Sequence, residues 1–174
     1  DVRFAEKAAL FLKRLSDPET GYPSTFRAVY PSQVQEGEFF QNVAMVYDMV
    51  SDAEVFTPQD RLSIDATLRL FMESMERLAD SGSINNWNVA EAVGAFYCAL
   101  AMQDLAAADR WFSGPSGICE QLRIGTMDDG WWYECSVGYN TWVARQFTQV
   151  ALAYQPWGID FKNMNLPASR TRQI

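Results

Sequence analysis

The 174-residue chain contains no histidine. That absence removes a Ser-His-Asp or Cys-His nucleophile pair, a histidine general base, a His-containing zinc site and a proximal-His haem. Acid–base work must fall to Tyr, Asp, Glu, Lys or Cys. Basic residues are also few: 14 Lys and Arg stand against 22 Asp and Glu, giving a net charge of −8 and a pI near 4.5. A basic footprint for nucleic acid is therefore missing, and polyphosphate partners are not expected. Cys98, Cys119 and Cys135 are odd in number and lack CxxC spacing, so they read as free or buried thiols rather than a disulfide framework or a metal knuckle. No metal or cofactor is expected. No apolar run approaches the roughly 18 residues of a membrane span, so a membrane partner is not expected either. The chain opens on Asp1 without a signal-peptide pattern and reads as a processed or cloned segment whose address is not written in it.

What is present is helical periodicity. Apolar residues recur with 4-3-4 spacing at Phe4, Ala8, Phe11 and Leu15, and again at Phe39, Val43, Val46 and Val50. Similar stripes run through Ile64, Leu68, Phe71, Met75 and Leu78, through Val89, Val93, Phe96 and Leu100, and through Val143, Phe147, Val150 and Tyr154. Each predicts one helix with a buried face. Thr57, Pro58 and Asp60 predict a capped start for the third helix, and Gly82 follows its end. Its Asp65, Arg69, Glu73 and Arg77 read as a solvated face. Residues 17–37 read as a long ordered loop, SGPSG at 113–117 precedes a short helix at about 116–124, and strand content should be very small. The stripes starting at Phe39, Val89 and Val143 recur at intervals of 50 and 54 residues with another helix between them. That is the layout of stacked antiparallel hairpins, in which alternate helices run the same way. The expectation is one all-α domain over 1–174, with an irregular tail at 158–174.

In such a stack, the loops before alternate helices gather at one end, and the unusual residues lie in those loops. Tyr30, Gln33, Gln35, Glu36 and Glu38 precede the second helix, and Asn85, Asn86, Trp87 and Asn88 precede the fourth. Asp128, Asp129, Trp131, Trp132, Glu134 and Tyr139 precede the last. Amides and flat aromatics suit a sugar polymer, through hydrogen bonds to hydroxyls and stacking on C–H faces. Helix N-termini add positive potential that favours a carboxylate. Plainer readings compete: Asn85 and Asn86 as helix caps, Trp131 and Trp132 as core anchors, Tyr139 as packing, and Asp128-Asp129-Gly130 as a turn.

Taken together, Asp129-Gly130-Trp131-Trp132-Tyr133-Glu134-Cys135-Ser136-Val137-Gly138-Tyr139-Asn140 resembles the DG…E.S..Y motif of polysaccharide lyases of the heparinase II/III and alginate-lyase type. Asn85-Asn86-Trp87 resembles the Asn motif that precedes it in that family, at a similar separation, and Tyr47-Asp48 resembles a recurring structural pair. The likeness spans about residues 36–157. It implies part of an (α/α) toroid that cleaves uronate-containing polysaccharide by β-elimination in the periplasm or outside the cell. On that implication Asn86 neutralises the uronate carboxylate and Tyr139 transfers the proton. Asn85, Trp87, Asn88, Trp131, Trp132, Glu134, Asn140, Arg145, Gln35 and Tyr30 would contact substrate, with Glu134 holding the loop or an Arg. A tyrosine with an ordinary pKa near 10 needs a cation, for which Arg145 and Arg123 are candidates. Family members often place His where this chain has Trp87 and Asn140, and the toroid commonly has five to seven hairpins against about three here. Bare helix faces would then favour a homodimer. Two other readings stay open: glycoside hydrolysis by two of Asp128, Asp129 and Glu134, and a non-catalytic helical module that binds glycan or protein.

Overall fold

The computed structural model describes residues 2–22, 33–79 and 82–158. Among these, seven α-helices follow in order: α1 (Val2–Leu15), α2 (Gln33–Val50), α3 (Pro58–Ala79), α4 (Asn86–Ala101), α5 (Leu105–Ser113), α6 (Ile118–Gly125) and α7 (Val137–Tyr154). A 3-10 turn at Gln155–Trp157 closes the described chain. The all-α expectation holds, and the sole extended pairing among the described residues is an isolated antiparallel bridge between Thr126 and Trp132. Tyr30 and the tail from 159 onward lie outside the described residues.

Local chemistry sets several boundaries as the sequence predicts. The Thr57 N–H and hydroxyl both donate to Asp60 Oδ2 at 2.8 Å, and the Asp60 N–H donates back to Thr57 Oγ1 at 3.1 Å, a reciprocal capping box that opens α3. The short helix expected at 116–124 spans Ile118–Gly125. Two boundaries differ. The second helix starts at Gln33, so residues 33–37 belong to its first turns rather than to the loop. A nine-residue helix, α5, also stands where none was predicted, capped by Asp104, whose side chain accepts from the Ala107 N–H at 3.1 Å.

Burial confirms three stripes in full or nearly so. Ile64, Leu68, Phe71 and Met75 of α3, Val89, Val93 and Phe96 of α4, and Val143, Phe147, Val150 and Tyr154 of α7 are all buried. In α2 the inward arc is turned slightly, to Phe40, Val43, Ala44 and Tyr47, leaving Phe39, Val46 and Val50 half-buried. The α1 stripe is corrected outright: Phe4 is 76% exposed and Phe11 is also exposed, whereas Ala9, Leu12 and Ser16 face the core. Lys13 pins this rotation, pairing with Asp60 at 2.8 Å and donating to the Val55 carbonyl at 3.1 Å. The outer face assigned to α3 also does more than meet solvent. Asp65 is tied to the Tyr47 hydroxyl on α2, and Arg69 donates to Asp104 Oδ2 at 2.9 Å. Tyr47 therefore pairs with Asp65, while its neighbour Asp48 is exposed.

Cross-helix contacts give the directions. Phe40 meets Phe71 and Tyr47 meets Asp65, so α2 and α3 run antiparallel. Gly37 lies against Ala90 and Phe40 against Cys98, so α2 and α4 run parallel. Glu38 meets Trp142 and Gln41 meets Gln149, so α7 runs parallel to α2 as well. The core helix is α4, buried on nearly every side from Asn86 to Ala99. It meets α2 backbone to backbone, since a Cβ on Gly94 would lie 2.5 Å from the Gly37 carbonyl oxygen and one on Gly37 would lie 2.4 Å from that of Ala90.

Candidate functional site at the mouth of the parallel helices

Because α2, α4 and α7 run the same way, their N-termini and the loops before them open at one end of the molecule, as the 50- and 54-residue intervals predict. Glu134 joins two of these loops. Its Oε2 accepts from the Asn86 N–H at 3.0 Å and from Trp132 Nε1 at 2.6 Å. The carboxylate thus sits at the positive N-terminus of α4 and holds the last loop against it. The Tyr133 hydroxyl donates to the Ile84 carbonyl and adds a second tie between the same loops.

The predicted site residues divide by what they touch. Asn85 caps α4, its Oδ1 accepting from the Asn88 N–H at 2.8 Å. Asn86 is mostly buried with its backbone on Glu134, and its amide side chain takes no hydrogen bond among the described residues. Trp87 beside it is exposed, as are Trp131 and Tyr139, the last 46% accessible. Ser136 caps α7 by accepting from the Tyr139 N–H at 3.4 Å. Gln35 lies exposed on the first turn of α2. These residues lie at the end of the bundle where α2, α4 and α7 begin.

Others expected to contact a ligand are turned away from it. Trp132 is buried, with its ring against Phe147 and filling the space beside Gly125, so of the adjacent tryptophans one is a core anchor and one faces out. Asn140 is a loop tie, its Oδ1 accepting from the Trp132 N–H at 2.9 Å. Asn88 is buried and cannot reach a polymer at the surface. Arg145 is exposed on α7, Arg123 lies 3.8 Å from Glu120, and neither makes a contact with Tyr139 among the described residues. Asp128, Asp129 and Gly130 form the expected turn: Gly130 has φ +85, and Asp129 Oδ1 accepts from the Trp131 N–H at 3.0 Å.

Two supporting residues escaped sequence reasoning. Gln121, fully buried on α6, accepts from the Asn85 N–H at 3.2 Å and donates to the Ser83 carbonyl at 2.8 Å, fixing the loop that presents Asn86. Trp142 Nε1 donates to Glu38 at 2.5 Å and joins α7 to α2 just below the mouth. Gln121 stands beside Glu120 and two residues before Arg123, so nothing in the sequence sets it apart from an exposed polar face. Cys98, Cys119 and Cys135 are free thiols. No group of three or more metal-ligating side chains occurs among the described residues, and no helix there is long and apolar enough to cross a membrane. No protein-family model, no curated protein and no solved structure matches the chain.

Proposed function

We propose that the mouth binds a uronate-containing polysaccharide and belongs to a lyase of the heparinase II/III and alginate-lyase type, with the chain forming part of an (α/α) toroid. The observation that carries this reading is the Glu134 bridge. It ties the two motif segments, Asn85-Asn86-Trp87 and 129–140, together at one end of the bundle, and those segments carry an unpaired Asn86 amide and an exposed Tyr139. The Asn86 amide donates to the substrate carboxylate and withdraws charge from it, so the C5 proton becomes more acidic. The Tyr139 phenolate takes that proton, and the electron pair forms the C4–C5 double bond as the C4–O bond breaks. The Tyr139 phenol so formed returns the proton to the departing oxygen. Trp87 and Trp131 offer flat faces to the sugar rings. Action on such polymers fits a periplasmic or secreted site.

Incubation with uronate polysaccharides is expected to produce the ultraviolet absorbance of a 4,5-unsaturated uronate. Tyr139→Phe should abolish that signal, and Asn86→Ala should reduce it by about 10²-fold or more, the scale of losing one preorganised donor. Full activity in Tyr139→Phe removes the assignment. The absence of a cation at Tyr139 among the described residues favours a second reading, in which this chain binds glycan without turning it over. Under that reading titration calorimetry detects binding, no chromophore forms, and Tyr139→Phe leaves the affinity unchanged. Hydrolysis by Asp128, Asp129 and Glu134 is less well supported, since Glu134 and Asp129 already hold backbone donors. It would yield reducing ends without the chromophore.

A further inference from the structure

In the first two turns of α2 and α4 stand two buried carboxyl groups, Glu36 and Glu91, close enough to interact electrostatically and without a basic partner among the described residues. Glu91 stands on the second turn of α4 and is 2% exposed, and both of its carboxyl oxygens are buried without a hydrogen-bond partner. Glu36, on the first turn of α2, is also buried and is the charged group that reaches Glu91 electrostatically. Among the described residues the remaining helices packed on α4 bring no charge into range, and Arg61 of α3 is engaged by the Ala53 carbonyl and Tyr47. Arg69 of α3 is held by Asp104, Arg110 of α5 by Glu76, Arg123 of α6 lies by Glu120, and Arg145 of α7 points to solvent.

Both Glu36 and Glu91 flank a close helix crossing, that of Gly37 and Gly94, where the two backbones touch and a Cβ on Gly37 would lie 2.9 Å from the Glu91 amide nitrogen. An ionised Glu91 at this position would be a desolvated charge beside a second acid, a state that proteins avoid by holding the proton or by letting water in.

We propose that Glu36 and Glu91 form a proton-dependent latch that closes α2 on α4 at the Gly37–Gly94 crossing, so that loss of the Glu91 proton loosens the mouth. Burial, reinforced by the Glu36 charge, pushes the Glu91 carboxyl up to about 8 from its ordinary value of 4.5, which places the release within the range of common environments. Burial raises Glu36 in the same direction. The closed state keeps its proton where an opened state does not. The opening equilibrium therefore rises by about tenfold per pH unit between the two values.

Hydrogen exchange followed from pH 5 to 8.5 tests this in the intact chain. Protection factors at amides 34–40 and 89–94 are expected to fall by about tenfold per pH unit up to about pH 8, and Glu91→Gln should remove most of that slope. An unchanged slope in Glu91→Gln, or protection independent of pH in the unsubstituted protein, overturns the proposal. Should Glu91→Gln fail to fold, carboxyl ¹³C titration of glutamate-labelled native protein decides the matter. One glutamate titrating near pH 8 supports the latch, and all glutamates titrating below pH 6 overturn it.

Discussion

Glu134 carries more of the site than its place in the motif suggests, because a single oxygen serves the first turn of α4 and the indole of a buried tryptophan. A hydrogen bond to a charged group contributes about 1.5–3 kcal/mol, and an orphaned buried donor costs about as much again. Glu134→Ala leaves Trp132 Nε1 without an acceptor inside the core and should lower stability by about 2–4 kcal/mol. Glu134→Gln retains one acceptor oxygen and should lose about half of that. Urea unfolding followed by tryptophan fluorescence measures both, with a fall in midpoint at constant slope. Equal stability of Glu134→Ala and the unsubstituted protein would show that water replaces the carboxylate freely. At this scale the sequence was readable for residue type and less so for direction. Asn85 and Asn140 look like ligand groups in a list of amides, yet each spends its oxygen on a backbone N–H within eight residues. Nothing in a sequence tells an amide that binds its own loop from one that binds a guest, since the donor geometry is the same.

Among the elements, α3 and α7 follow from spacing because one apolar arc on each meets a neighbour, and α4 follows because it is buried on nearly every side, so any stripe drawn along it faces the core. In α1 two arcs compete, one bearing Phe4 and Phe11 and the other Ala9 and Leu12. The 4-3-4 rule reports which residues share a face, not which face has a partner. Alanines at 8 and 9 allow a close approach, and the Lys13–Asp60 pair fixes the choice. The tight crossing of α2 and α4 was equally hidden, since Gly37 reads as a loop residue until its partner Gly94 is known. Gly94→Ala would drive a methyl to 2.5 Å from the Gly37 carbonyl, and the required separation of the helices should cost about 1–3 kcal/mol. Gly138→Ala is the control on another helix. Its nearest neighbour is Ser136 Oγ at 3.7 Å and its φ is ordinary, so the substitution should stabilise by about 0.4–1 kcal/mol through the unfolded chain. Thermal unfolding of the pair should move the two midpoints in opposite directions. Equal shifts would mean that the crossing relaxes without loss.

For the molecule as a whole, the acid and alkaline limbs of stability have different owners. Asp60 is held down at about 2 by Lys13 and the capping box, and Asp17 and Asp104 are also lowered, chiefly by backbone N–H groups. Groups lowered in this way stabilise the fold above their unfolded value near 3.8, and that contribution is lost as pH falls through the folded value. Glu91 works with the opposite sign. Its folded value is raised to about 8, so its contribution is complete below 4.5 and is lost as pH rises from there through 8. The span corresponds to something on the order of 5 kcal/mol, a large share of a typical domain's stability. Asp65 and Glu36, both raised by burial, push the same way, and the net charge of −8 adds self-repulsion near neutrality. Stability should therefore peak near pH 4–5, below the usual range of pH 5–8, and decline steadily toward pH 8. Calorimetric midpoints collected at half-unit intervals from pH 3 to 9 test this. A maximum at pH 7 or above would mean that a cation or solvent reaches Glu91. The signal in the sequence was one glutamate within the apolar run NVAEAVGAF, a residue whose cost in a buried helix the surrounding fold must carry by holding a proton.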